Sequence, residues 1–218
     1  MSNYIKYAKT YHFPWSQGVK NDDKIQHDLS RLENQEVIAT EKMDGENATI
    51  YNDHYHARSL DSQEHWTRKK MYELQKRIGS DIPEGWRICG ENLYAEHSIG
   101  YANLPDYFMV FSIWNDKNIC LSWDETVEWC ELLNLHTVPV LYRGTFSVDA
   151  IKNIQIDTKT QEGYVVRLAG AFTYEDFSKC NIKFVRAGHI QTQAKHWMYS
   201  NVKINRNRLI YESNNLNY

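Results

Sequence analysis

Lys42, Met43, Asp44 and Gly45 follow directly on a β-branched run, Glu36 to Glu41, that reads as a strand. A lysine at a strand end, followed by a small turn residue, is placed to project into a cleft. Its amine is a nucleophile only when neutral. From an unperturbed pKa of ~10.4, deprotonation near pH 7 costs roughly 4–5 kcal/mol. Neighbouring cations or a bound metal lower that cost. Asp44, two residues on, can orient the lysine or cap the turn, or do both. Taken alone, four such positions arise often by chance, and a solvated, idle charge at a hairpin mouth is the better reading. The phosphate signatures G-x-x-x-x-G-K-[ST] and G-x-G-x-x-G are missing, and so is the hydrolase elbow G-x-S-x-G. His54 and His56 alternate along a strand, but with no third ligand nearby they read as ordinary surface or packing residues.

The elements that would position these residues are mostly strands. Beyond 36–41, the segments 48–52 and 54–59 flank the turn signal Asn52-Asp53 and predict a hairpin. Further strands are expected at 86–89, 107–114, 119–122, 137–142, 163–168 and 181–186, with a second hairpin turn at Asn115 to Asn118. One helix is expected over 62–78, where Thr67, Met71, Leu74 and Ile78 share a face and Arg68, Lys69, Lys76 and Arg77 lie on the other side. A second opens at Ser122, with Glu125 at capping-box spacing, and buries Trp123, Val127, Cys130 and Leu133. A third is expected around 192–199. Hairpins with few helices between them predict an α+β fold with antiparallel sheets and flanking helices.

Lys42-Met43-Asp44-Gly45 has company. Gly90-Glu91-Asn92-Leu93-Tyr94, Tyr107 to Trp114, Glu162 to Arg167 and Ile182 to Arg186 follow in order. Together the five segments resemble motifs I, III, IIIa, IV and V of the covalent lysyl-nucleotidyltransferases, and five in this order are specific. Ala39 to Asn47 is similar to the RNA ligase version of motif I. Gly90 to Tyr94, with His97-Ser98-Ile99 and Leu104 to Phe108, is similar to ATP-dependent RNA ligases of phage and bacterial type. Val185 to Thr192, with His196-Trp197, resembles the nick-sealing branch typified by the Deinococcus enzyme.

The resemblance implies a nucleotidyltransferase (adenylation) domain of ATP-grasp-like ligase type. It implies that Lys42 attacks the α-phosphorus of ATP, then passes AMP to an RNA 5′-phosphate that is joined to a 3′-hydroxyl. Glu41 would lie beside the adenine, Asp44 and Gly45 would shape the turn, and Arg58 would contact a phosphate with its bidentate fork. Glu91 would accept from the ribose hydroxyls, and Phe111 would stack on the base, although alone it reads as a core aromatic. Glu162 would bind the catalytic Mg²⁺, with Mn²⁺ as an alternative. Lys183 would contact the α-phosphate and depress the Lys42 pKa. Many relatives have Lys-x-Lys at motif V; here one lysine is missing, and Arg186 or Arg167 is the candidate substitute. His189 reads either as a substrate contact or as a helix cap. Two rival readings are a capping-type guanylyltransferase and a noncatalytic RNA-end-binding module.

Composition bounds these readings. With 218 residues, 42% hydrophobic and 24% charged, the chain is neither a disordered tail nor a membrane protein. Four scattered cysteines without a C-x-x-C pair argue against a zinc ribbon or a disulfide framework and for the cytoplasm. The expectation is one domain over 1–218, with motifs between 36 and 197, no separate oligonucleotide-binding barrel, no membrane contact and no obligate protein partner. A net charge of −3 argues against nonspecific coating of nucleic acid but not against a local basic groove. The expected partners are RNA ends, those of a nicked duplex in particular. They would be gripped by the cleft, by Arg68, Lys69, Lys76 and Arg77, and by the segment 201–218 with Lys203, Arg206 and Arg208. A solvated helix face, and a solvated or docked irregular tail, are equally consistent.

Overall fold

The computed structural model describes residues 4–62, 64–189 and 202–207. In chain order the strands are β1 (Tyr11–His12), β2 (Glu36–Glu41), β3 (Glu46–Ile50), β4 (Tyr55–Ala57), β5 (Arg87–Asn92), β6 (Phe108–Trp114), β7 (Ile119–Cys120), β8 (His136–Thr137), β9 (Val140–Thr145), β10 (Gly163–Leu168), β11 (Phe172–Thr173) and β12 (Asn181–Val185). The helices are α1 (Lys69–Ile78), α2 (Trp123–Leu132), α3 (Val148–Lys152) and α4 (Phe177–Cys180). One sheet runs β1-β12-β10-β2-β9; the other runs β11-β7-β6-β5-β3-β4, with β8 beside β6. All pairs are antiparallel except β1 with β12 and β6 with β8. The fold is α+β, as the hairpin-rich sequence predicts.

Both hairpins form where the turn residues stand. Tyr51 donates to the His54 carbonyl between β3 and β4, and Asn118, at φ 58°, closes the β6–β7 turn on the Asn115 carbonyl. At α2 the Ser122 hydroxyl accepts from Glu125 N at 3.2 Å, and the Glu125 carboxylate accepts from Ser122 N at 2.9 Å, completing the capping box.

Three expectations change. The helix predicted over 62–78 begins only at Lys69, after a tight 3-10 turn at Trp66–Arg68. Ser62 does not cap it, because its hydroxyl is committed to the β4 end through Ala57 N and the Ser59 carbonyl. The strand predicted over 137–142 splits at Pro139. On one side Val138 N donates to Val110 in the larger sheet; on the other, β9 pairs with β2. Proline has no N–H to continue the ladder, so the chain changes sheets there, and its carbonyl accepts from Glu41 N at 2.8 Å. The strand expected over 86–89 extends to Asn92, which carries Glu91 into the pairing with β3 and β6. The helix expected at 192–199, the His196-Trp197 element and Arg208 lie outside the described residues.

Thr67, Met71, Leu74 and Ile78 are all buried, as their spacing predicts. Met71, Leu74 and Ile78 pack with Ile50, Ile88 and Ile113 against the larger sheet. A second core beneath the five-stranded sheet gathers Phe13, Val37, Trp114, Tyr164 and Val166. Among the described residues no helix is long and apolar enough to cross a membrane.

Residues 202–207 dock rather than trail. Backbone bonds join Glu96 N to Lys203 O, Asn205 N to Tyr94 O and Leu104 N to Arg206 O. The Asn205 side chain is buried. Its carbonyl accepts from Tyr101 N at 2.8 Å, and its amide donates to the Leu93 carbonyl at 2.8 Å. Asn205→Ala strands these backbone groups, each worth ~1–3 kcal/mol when left unpaired in the interior. Urea denaturation should show a loss of about 2–4 kcal/mol with an unchanged m-value; a loss below about 0.5 kcal/mol would show that this docking is marginal.

Candidate active site

Strand register brings the site together. Thr40 on β2 faces Val165 on β10, Val165 faces Lys183 on β12, and Lys183 faces His12 on β1, so these four form one row across the smaller sheet. Lys42 stands two residues beyond Thr40, and its N–H donates to the Gly163 carbonyl at 3.0 Å. Glu162 therefore arrives opposite Lys42, and its Oε2 lies 2.6 Å from Lys42 Nζ. Glycine at 163 is required there, because a Cβ would collide with the Phe184 carbonyl of the neighbouring strand.

The turn after β2 is braced by the loop between β5 and β6 and by Glu91 of β5. Asp44 Oδ2 accepts from Ser98 N at 2.9 Å, Ser98 Oγ at 2.6 Å and Ile99 N at 2.9 Å, while Asp44 N donates to Tyr101 Oη at 2.9 Å. Gly45 N donates to Glu91 Oε1 at 3.1 Å. A Cβ on Gly45 would lie 2.5 Å from the Asn92 carbonyl, so only glycine lets β3 and β5 close around the turn. His189 Nε2 sits 3.7 Å from Asp44 Oδ1 and 3.5 Å from Glu162 Oε1. It thus stands between the two carboxylates at the cleft, and the helix it was expected to cap lies outside the described residues. Asp44, Glu162 and His189, all buried, are the group of described residues whose donor atoms lie close enough to hold a metal ion. Two carboxylates suit a hard cation such as Mg²⁺ or Mn²⁺.

Electrostatics follow from burial and proximity. Burial pulls the Lys42 amine down, but the Glu162 carboxylate, which also accepts its hydrogen bond, outweighs it together with that of Asp44, and the net shift is upward. This reverses the expectation that Lys183 depresses the Lys42 pKa. The downward shift falls on Lys183 instead, which burial and the Lys42 cation hold at about 8. Burial pushes Glu91 up to about 8, so near neutral pH it is a carboxylic acid that can donate as well as accept. Burial raises Asp44, but the His189 and Ser98 hydrogen bonds prevail and hold it at about 2. Glu41, raised by burial, accepts from Gln161 Nε2 at 2.8 Å.

A cleft of about 970 Å³ collects the sequence candidates. Glu41, Lys42, Asp44, Gly45, Arg58, Glu91, Phe111, Glu162 and Lys183 all line it. Arg58 is exposed there, and half-buried Phe111 meets Tyr7 edge-on at 5.1 Å. Sequence reasoning missed Ser98 and Tyr101 as braces of Asp44, and His12 and Asp23 beside Lys183; no local pattern marks any of them.

The basic helix face needs correction. Arg68 lines the cleft but is buried, and its guanidinium forks onto the Glu46 carboxylate, Nε to Oε2 at 2.8 Å and Nη2 to Oε1. Lys69, Lys76 and Arg77 are exposed but do not line the cleft. The two arginines expected to replace a motif V lysine are also committed. Arg186 donates to the Gln161 and Ala187 carbonyls, and buried Arg167 donates to those of Leu168, Phe111 and Leu121. His56 is buried against the Ala57 carbonyl and His54 stacks on Tyr4, so neither joins the group able to hold a metal.

The RNA ligase family profile matches residues 35–185. Among solved structures, an apo variant of Naegleria gruberi RNA ligase aligns with a TM-score of 0.50 at 20% identity, over 72% of this chain and 51% of that one. A second variant of that ligase, with ATP and Mn, gives 0.50 at 20% identity over 74% and 53%. A third, also with ATP and Mn, gives 0.50 at 16% over 84% and 60%. The chain thus spans about half the length of the first of these, and at such identities the likeness shows the fold alone. No curated protein matches the chain.

Because Arg68 and Glu46 are paired out of water, removing one partner strands the other charge. Arg68→Ala should lower stability by about 3 kcal/mol in urea denaturation, whereas Lys69→Ala, on the solvated face, should stay within about 0.5 kcal/mol. Equal effects would place Arg68 on the surface with its neighbours.

Proposed function

Because the chain belongs to the RNA ligase family, we propose that it is an ATP-dependent RNA ligase working through a lysyl-AMP intermediate on Lys42. The observation that carries this reading is the Lys42 amine, fixed 2.6 Å from Glu162 in a cleft that Lys183, Glu91, Phe111 and Arg58 also line. The Glu162 carboxylate fixes the position of the ammonium, and Lys183 is the second cation that would favour the neutral amine once that carboxylate is engaged elsewhere.

In the first step the neutral Lys42 amine forms an Nζ–P bond to the α-phosphorus. The α–β bridging P–O bond breaks, and its electron pair leaves on pyrophosphate. The two protons shed by the original ammonium go to the leaving pyrophosphate and to water. Lys42 starts strongly protonated, because Glu162 holds it so. Drawing that carboxylate away from the ammonium, with Lys183 left facing it, lowers the cost of the neutral amine. Glu162 and Asp44 are the proposed ligands of Mg²⁺ or Mn²⁺. Asp44 Oδ2 accepts three hydrogen bonds, so Oδ1 would be the oxygen left to hold a cation. Such a cation would supply charge neutralisation on the phosphates. Glu91, kept as an acid by burial, pairs with a ribose hydroxyl; Phe111 offers a face to the base, and Glu41 reads its edge.

AMP then passes to an RNA 5′-phosphate, and a 3′-hydroxyl displaces it to seal the strand. Arg58 is the proposed contact to the 5′-phosphate. Lys69, Lys76 and Arg77 are proposed to hold the RNA away from the cleft; Arg68 is excluded from that role by its bond to Glu46. A nicked duplex is the proposed substrate, by resemblance to the nick-sealing branch.

Incubation with α-labelled ATP or GTP and a denaturing gel tests the reading. We expect label from ATP alone, lost in Lys42→Ala and in Lys42→Arg, since guanidinium does not deprotonate in proteins. Label from GTP would favour a guanylyltransferase, and no label a binding module. Glu162→Ala should also fail to seal a pre-adenylylated nick; sealing at the wild-type rate would confine Glu162 to the reaction with ATP.

A further inference from the structure

The cleft wall beside Lys183 is built by residues that precede the family-matched segment 35–185. Strand β1 lies parallel to β12 and sets His12 opposite Lys183. The chain around β1 brings Lys9, Lys20 and Asp23 to the cleft lining. Asp23 Oδ1 lies 3.7 Å from Lys183 Nζ and 3.8 Å from Lys9 Nζ, so two ammonium groups share one carboxylate oxygen. Its Oδ2 accepts from Lys20 N at 3.1 Å and lies 3.1 Å from Nε2 of buried His12. Lys9 is also held by Asp22, at 3.3 Å from Oδ2.

Two ammonium groups converging on one oxygen present a geometry that a phosphate oxygen can take over. Lys183 is the motif V cation that lines the cleft with Lys42, and the arginines at 167 and 186 donate to carbonyls. On the Asp23 side of Lys183 the neighbouring ammonium is that of Lys9, from the N-terminal segment. We propose that Lys9 and Lys20, together with Lys183, form a polyphosphate seat that binds the β- and γ-phosphates of the nucleotide and holds the departing pyrophosphate, with Asp23 as the residue that positions Lys9 and Lys183. This assignment rests on the lysyl-AMP reading of the site. When the α–β bridging P–O bond breaks, the electron pair remains on the pyrophosphate oxygen, and the seat neutralises that charge where it develops.

The seat acts only in the steps that contain the β- and γ-phosphates, and this makes it separable from general damage. Charge-assisted phosphate contacts are strong enough that losing them costs about tenfold or more in affinity. Three quantities are read for wild type, Lys9→Ala/Lys20→Ala, Lys9→Arg and, as a charge control outside the cleft lining, Lys159→Ala: the KM for ATP in Lys42-AMP formation, calorimetric binding of inorganic pyrophosphate, and the rate of sealing a pre-adenylylated nick. We expect the double variant to raise the KM for ATP and weaken pyrophosphate binding by about tenfold or more, with sealing of the pre-adenylylated nick changed by less than about threefold. Lys9→Arg should retain most of the affinity, and Lys159→Ala should match wild type throughout. Unchanged ATP and pyrophosphate affinities would overturn the proposal, as would an equal loss at every step. Pyrophosphate binding needs no turnover, so a wild-type protein that binds it but forms no Lys42-AMP would fault the ligase reading and leave the seat standing.

Discussion

The short contact between Lys42 and Glu162 is the constraint on which the rest of the site depends. An ammonium and a carboxylate held together, with the carboxylate almost fully buried, tolerate little displacement, because separating them inside the protein exposes each charge to a poor solvent. Their meeting is dictated by the β2–β10 register. A slip of one residue would turn every side chain of β2 to the opposite face and carry Lys42 out of the cleft. Bulky residues above and below, Ile38 and Val166 among them, pin that register by burying completely.

The second sheet contributes what the first cannot. Lys42 sits at the end of its strand, where the chain is about to turn, and a turn alone does not fix a side chain to within a few tenths of an ångström. Ser98, Ile99 and Tyr101 of the β5–β6 loop, and Glu91 of β5 through Gly45 N, hold Asp44 and the turn from the side of the larger sheet. Residues 202–207 support this arrangement from behind, since Asn205 binds the backbone of Tyr101 and Leu93. Lys42 and the turn after it are thus held from several sides. On the side of Lys9 and Lys20 the cleft is lined by long, partly solvated side chains.

Lys42, Glu91, Glu162 and Lys183 were legible in the sequence as candidates that share one cleft, because their segments follow one another in an order that carries information. The β2 and β10 boundaries were legible as continuous β-branched runs with clear stops. Arg68 was misread because helical spacing shows which face a residue occupies but not that Glu46, on a separate strand, reaches across to claim it. The Lys42 shift was misread because motif order names the second cation and is silent on the Glu162 carboxylate 2.6 Å from the amine. Asp23 and His12 were invisible: their role comes from a parallel pairing of the chain start with β12, which no local periodicity announces. The docking of 202–207 was likewise hidden in a polar, asparagine-rich stretch that reads equally as a tail.

The central claim is that Lys42, and no other nucleophile in the chain, carries the nucleotide. The direct measurement is tandem mass spectrometry of the protein after brief incubation with ATP and Mg²⁺ or Mn²⁺, under mildly alkaline handling that preserves a phosphoramide. The account predicts a mass gain of one AMP confined to the peptide that contains Lys42, with fragment ions placing it on that side chain. AMP on a different residue, or a protein that consumes ATP and seals RNA with Lys42 unmodified throughout, would contradict it.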